Sequence, residues 1–209
     1  MAIPERSHNG DYTYKDYAQW PEEERWELID GIAYAQATPT RDHQRISREL
    51  LFYLTAFFRG QDCEPFHAPF SVVLPEKNQQ RQDARTVVEP DLVVICDQSR
   101  LHKHGYEGSP ELIIEILSPS TSSKDMITKR LLYERHGVKE YWIVDPVHRI
   151  VTAYRLEGAK FTAFEHFSHK DTLTTSLFPG LAINLSQVFT SVGEETDESG
   201  KEILTVREE

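Results

Sequence analysis

Between Glu89 and Asp145, two apolar runs each carry a carboxylate for which a soluble core has no use. Asp91 opens the run Leu92-Val93-Val94-Ile95, and Glu115 interrupts Leu112-Ile113-Ile114 and Ile116-Leu117. Runs this short and this rich in β-formers predict buried strands. Burying a carboxylate among them is costly unless a positive group offsets it, and a divalent metal is the usual partner. Lys129 follows on the next predicted helix. Two acids and a lysine are the groups that metal-assisted phosphodiester hydrolysis requires.

The chain has 209 residues, 39% of them apolar and 27% charged, which predicts one soluble domain with a core of its own. No apolar run approaches the length of a membrane span, and MAIPERSHNG has no apolar stretch of the kind a secretory signal carries. Cys63 and Cys96 lack metal-type spacing and are expected to be reduced core residues of a cytoplasmic protein. The net charge of −11 argues against a general nucleic-acid coat protein. It does not exclude a nuclease, since metal-binding carboxylates add to such a balance. Part of the charge is local: 191–209 holds seven acids against two bases and reads as a solvated, partly disordered tail after a single domain over 10–190.

Asp30-Gly31 between apolar runs predicts a hairpin, because the tight turn needs positive φ. Thr40 or Asp42 is positioned to cap a helix reaching Phe58, with Gly60 as its stop and Ile46, Leu50, Leu54 and Phe57 as its core face. Strands are expected at 66–74, broken near Pro69, and at 87–96, 111–117, 141–144, 150–154 and 161–167, with 76–85 a polar loop. Ser118–Ser123 is expected to be a turn capping a second helix from Lys124 to His136, ended by Gly137. The alternation of strands and helices predicts an α/β fold with a mixed sheet flanked by helices.

If the strands bearing Asp91 and Glu115 are neighbours, both carboxylates reach one hard cation, Mg²⁺ or Mn²⁺, with the backbone carbonyl of Ile116 as a further ligand. Such an ion lowers the pKa of a bound water and neutralises charge on phosphorus. At 100° per residue, Lys129 lies in an apolar arc with Met126, Leu132 and Tyr133. Plainer readings stand beside these. Lys129 pairs at i,i+4 with Asp125, Asp91 after Pro90 suits a turn leading into a strand, and Glu115 suits the wet face of a one-sided strand.

Several motifs then carry a resemblance: Glu89-Pro90-Asp91 before an apolar strand, Pro110-Glu111-Leu112 leading to Glu115-Ile116-Leu117-Ser118-Pro119-Ser120-Thr121, and Asp125, Lys129 and Tyr133 at four-residue steps. Gly137-Val138, Glu140-Tyr141-Trp142 and Asp145-Pro146 complete it, with weaker matches at Leu28-Ile29-Asp30-Gly31 and His43. The stretch resembles the Uma-type family of restriction-endonuclease-like proteins, abundant in cyanobacteria, across roughly residues 10 to 190. The resemblance implies the PD-(D/E)xK nuclease core and a metal-dependent endonuclease acting on DNA. It has one departure: the usual pattern puts lysine two residues after the second acid, where this chain has Leu117. The resemblance implies that Lys129 has taken over that lysine's work.

Further candidates are weaker. Glu27 suits the upstream acid that often completes such sites, or an exposed strand residue. His43, on the first turn of the first helix, suits a contact to phosphate or water, or a surface position. Glu49 suits a third acid or an exposed helix face, and Tyr133 a neighbour of Lys129. Lys124, Arg130, Arg135 and Lys139 suit a track for a nucleic-acid backbone or simply a solvated face. Trp20, Trp26 and Trp142 read as core or interface residues. A second function class is a non-catalytic binding or assembly module on the same fold, and a third is a hydrolase of a small phosphate ester. Cutting two strands is easiest with two sites, which leaves a homodimer as an open expectation.

Overall fold

A computed structural model describes residues 11–21, 24–118, 124–190 and 192. A single helical turn, α1 (Tyr14–Tyr17), follows Thr13, which Asp16 caps. β1 (Trp26–Ile29) and β2 (Ile32–Ala35) form the expected hairpin, with Asp30 at φ 51° and Gly31 at φ 83° in the turn. Helix α2 (Arg41–Phe58) starts where Thr40 accepts a hydrogen bond from the His43 amide. Its core face is Ile46, Leu50, Leu54 and Phe58 rather than Phe57, which is only half-buried.

Seven short strands follow. β3 (Glu64–His67) and β4 (Ser71–Val73) are separated by Pro69, and β5 (Val87–Val88) and β6 (Leu92–Ile95) by Pro90. The expected single strand over 87–96 is therefore two, and they belong to different sheets. Proline lacks the N–H that a continuous ladder would need, so the chain leaves one sheet there and enters the other. β7 (Leu101–His102), β8 (Gly105–Glu107) and β9 (Leu112–Ile116) come next. Lys124–Lys129 is π-helical and runs into α3 (Arg130–His136), which Gly137 ends at φ 79°. The described elements finish with β10 (Glu140–Asp145), β11 (Ile150–Glu157), β12 (Lys160–Ser168), β13 (Thr172–Thr174), β14 (Ala182–Asn184) and α4 (Leu185–Val188).

One six-stranded sheet has the order β2-β1-β5-β4-β8-β7, the other β12-β11-β10-β9-β6-β3, and β13 and β14 form a separate hairpin. β9 and β10 run parallel, joined through α3, whereas β6 and β9 are antiparallel. Side-chain alternation divides the central strands between two cores. Leu92, Val94, Leu112, Ile114, Trp142 and Val144 pack against α2 and α4. Val93, Ile95, Ile113, Tyr141 and Ile143 pack against the first sheet and α3. With both faces covered, β6 reads as an unbroken apolar run and β9 as one broken only by Glu115.

The cysteines are not reduced. Cys63 and Cys96 form a disulfide, with Cα atoms 4.0 Å apart. The register that sets Glu64 opposite Ile95 extends by one residue to bring them face to face. In sequence they are 33 residues apart, a spacing that carries no sign of pairing. The Ser118–Ser123 turn lies outside the described residues after Ser118, as do the side chains of Lys124 and Asp125 and, apart from Val192, the acidic tail; Val192 packs in the core. Among the described residues, no helix is long and apolar enough to cross a membrane.

Candidate active site

Asp91 stands where Pro90 hands the chain from β5 to β6. The register that pairs Leu92 with Ile114, extended by one residue, sets Asp91 opposite Glu115, and the amide of the next residue, Ile116, donates to Asp91 Oδ2 at 2.8 Å. His43, one turn into α2, brings Nε2 to 3.0 Å from the same oxygen. Asp91 Oδ1 takes no hydrogen bond among the described residues. His43 Nδ1 is buried and equally without a partner there.

Glu115 shares a face of β9 with Ile113, the face that looks toward α3 and the first sheet. It is 4% exposed, so the one-sided-strand reading fails. Its Oε1 accepts from Lys129 Nζ at 2.8 Å and from the Tyr133 hydroxyl at 2.7 Å. Lys129 also lies 2.7 Å from Glu27 Oε1, so a single ammonium ties a carboxylate of one sheet to a carboxylate of the other. Glu27 is fully buried, not an exposed strand residue, and its Oε1 accepts the Glu89 amide at 3.2 Å. Leaving either acid without its cation here would strand a buried charge.

The π-helical stretch revises how Lys129 is presented. With more residues per turn than an α-helix, it does not hold Met126 beside Lys129: Met126 is 49% exposed and Lys129 only 3%. Such π-helical turns interrupt helices most often at functional sites. The surface reading of Lys129 fails on its burial, and its pairing with Asp125 falls on a side chain outside the described residues.

Burial holds the Tyr133 phenol well above its ordinary pKa, the Glu115 carboxylate adds to the rise, and Lys129 opposes it. Burial likewise raises the Tyr17 phenol, beside Glu89. Both phenols are therefore neutral donors, Tyr133 to Glu115 and Tyr17 to Glu89 Oε1 at 3.2 Å.

The acids, His43 and Lys129 line a cleft of about 240 Å³. Of the residues singled out from sequence, the cleft brings together Asp91, Glu115, Ile116, Lys129, Glu27 and His43. Tyr133 sits behind Glu115 and supports it. Glu49 is not in the cleft; it pairs with Arg48 on the outer face of α2. Of the basic residues around α3, Arg135 pairs with Asp30 and Lys139 with Glu111, which suits a solvated face. Sequence reasoning passed over Glu89 and Arg25, which lie 3.1 Å apart in the cleft wall. The signal for Glu89 was present, since an acid directly after Val87-Val88 and before Pro90 has the same character as Asp91.

The donor set decides which ion would fit. Glu27, Glu89, Asp91 and Glu115 face two fixed cations, Arg25 and Lys129, leaving a formal excess of two negative charges. Among the described residues, no three His, Cys, Asp or Glu side chains gather into a closed metal cage. One or two hard carboxylates beside a cleft suit a small divalent cation that keeps most of its waters, and do not suit a tetrahedral zinc site.

The sequence model of the Uma2 family, described as "Putative restriction endonuclease", matches residues 14–186. An uncharacterized protein of Synechocystis is 27% identical over 132 residues, which span 62% of this chain and 66% of that protein. The crystal structure of a protein from Anabaena variabilis, titled a putative nuclease belonging to DUF820, superposes with a TM-score of 0.69 at 20% identity. That match covers 85% of this chain and 97% of the other. The two proteins share a fold.

Proposed function

This chain belongs to the Uma2 family, and on that premise we propose that it is an endonuclease that hydrolyses DNA phosphodiester bonds with the aid of Mg²⁺ or Mn²⁺. One observation carries the reading: Asp91, Glu115 and Lys129, from a sheet-to-sheet junction, a central strand and a π-helical turn, converge on one acidic cleft. The family's description supports DNA as the substrate. Two protomers, each with one cleft, would serve both strands of a duplex.

Asp91, Glu115 and the carbonyl of Ile116 would hold the cation, which when bound acidifies a water and offsets the charge developing on phosphorus. The remaining work belongs to side chains already in place. The Ile116 amide and His43 Nε2 fix the Asp91 carboxylate through Oδ2, leaving Oδ1 without a hydrogen bond among the described residues. Tyr133 fixes Glu115 in the same way. Lys129, tethered by Glu27, presents an ammonium that can hold a non-bridging phosphate oxygen or orient the attacking water. Burial of Lys129, Glu27 and Glu115 excludes bulk solvent from that contact and strengthens it.

The test is cleavage of plasmid DNA in the presence of Mn²⁺. Asp91→Asn, Glu115→Gln and Lys129→Ala are each expected to lower the rate about a hundredfold or more while remaining folded. Cleavage that survives all three substitutions refutes the assignment.

A further inference from the structure

A second and larger hollow, of about 740 Å³, opens beside the acid cleft and shares Arg25 and Glu89 with it as a common wall. Its lining is aromatic: Tyr17, Trp20, Trp26 and Phe70 contribute rings to it. Trp20 lies at the centre, its ring centroid 5.3 Å from that of Tyr17 and 5.9 Å from that of Trp26. These rings hold one another in place, yet Tyr17, Trp20 and Phe70 are only half-buried and line the hollow. Two polar groups sit among them, the Tyr17 hydroxyl and Ser71 Oγ, 3.2 Å apart. Lys103, exposed at the rim, adds a cation to a chain whose net charge is −11.

From this arrangement we infer that the aromatic hollow is a binding site for an unpaired nucleobase of the strand whose phosphate lies in the acid cleft. The inference rests on the reading of that cleft as a nuclease site and adds the substrate class: nucleic acid with an unpaired or extruded base next to the scissile bond. Three features favour this occupant. Open aromatic faces stack any base regardless of sequence. Lys103, exposed at the rim, supplies positive charge where a backbone leaving the cleft would pass, while Arg25 in the shared wall is held by Glu89. A base paired within a duplex cannot present its face to a ring, so the hollow selects for unpaired substrate.

The experiment compares binding of a fluorescein-labelled oligodeoxythymidylate, alone and annealed to oligodeoxyadenylate, by fluorescence anisotropy with EDTA present so that nothing is cut. The full chain is expected to bind the single strand about tenfold or more tightly than the duplex. Trp20→Leu should remove that preference by weakening only single-strand binding. Lys103→Glu, on an exposed side chain, should also weaken single-strand binding, and it decides the matter if Trp20→Leu does not fold. Equal wild-type affinity for the two forms overturns the base site, as does single-strand affinity that survives Trp20→Leu in a folded protein. None of these outcomes touches the cleft, whose reading fails separately if Mn²⁺-dependent cleavage is absent or persists in Glu115→Gln.

Discussion

Glu115 and Glu140 lie on neighbouring parallel strands, 4% and 1% exposed, and their surroundings separate two uses of a buried carboxylate. Glu140 points to the side packed by α2 and α4, where the Trp142 indole donates to it at 2.9 Å and the Thr175 hydroxyl takes its other oxygen. Neutral donors do little to stabilise a charge in that setting, and burial raises its carboxyl pKa above the ordinary value. Glu115 points to the opposite side of the sheet, where its company is an ammonium, a phenol, a second carboxylate and an open cleft. Burial alone therefore does not mark a reactive acid. Glu115 differs in sharing a cation with a second acid and in lining the cleft.

Breaking the Glu115 side of that contrast should give the largest effect. Lys129→Ala leaves Glu27 and Glu115 buried without their ammonium, and urea unfolding should show a loss of about 3–5 kcal/mol. Tyr133→Phe removes one donor from Glu115 and should cost about 1–3 kcal/mol in the same assay while slowing cleavage, because Glu115 loses a contact that fixes it. Glu140→Gln is the smallest change: its amide can accept from Trp142 and donate to Thr175, and cleavage should be unaffected. Its effect is a pH dependence. A carboxyl whose folded pKa is raised contributes stability below its unfolded value of 4.5, and that contribution is lost as pH rises through the folded value. The Gln variant has no such loss, so its stability relative to wild type should grow as pH is raised above about 4.5. A constant difference across that range would show that Glu140 is not destabilised by burial.

Local patterns in the sequence foretold the hairpin at Asp30-Gly31, the Thr40 cap and the stop at Gly137, because each depends on a few adjacent residues. What the sequence concealed was long-range. Nothing local in Val87–Ile95 tells that Pro90 divides it between two sheets, and that division is what turns Asp91 toward Ile116. Cys63 and Cys96 look isolated until β3 and β6 are set in register. Glu27 looks like an exposed strand residue until the first sheet closes over α3 and brings Lys129 to it. An ideal α-helix does not present Lys129 as the π-helical turn does, and that turn leaves no signature in composition or spacing. Glu140 opens an apolar run much as Asp91 does, so pattern alone could not have told the two apart.

The most direct test of the contrast is Mn²⁺ binding by isothermal titration calorimetry on the wild type, Glu115→Gln and Glu140→Gln. Wild type and Glu140→Gln should bind alike, and Glu115→Gln should show no binding up to millimolar Mn²⁺. Absence of binding to the wild type, or equal binding by Glu115→Gln, would contradict the placement of the cation at Glu115.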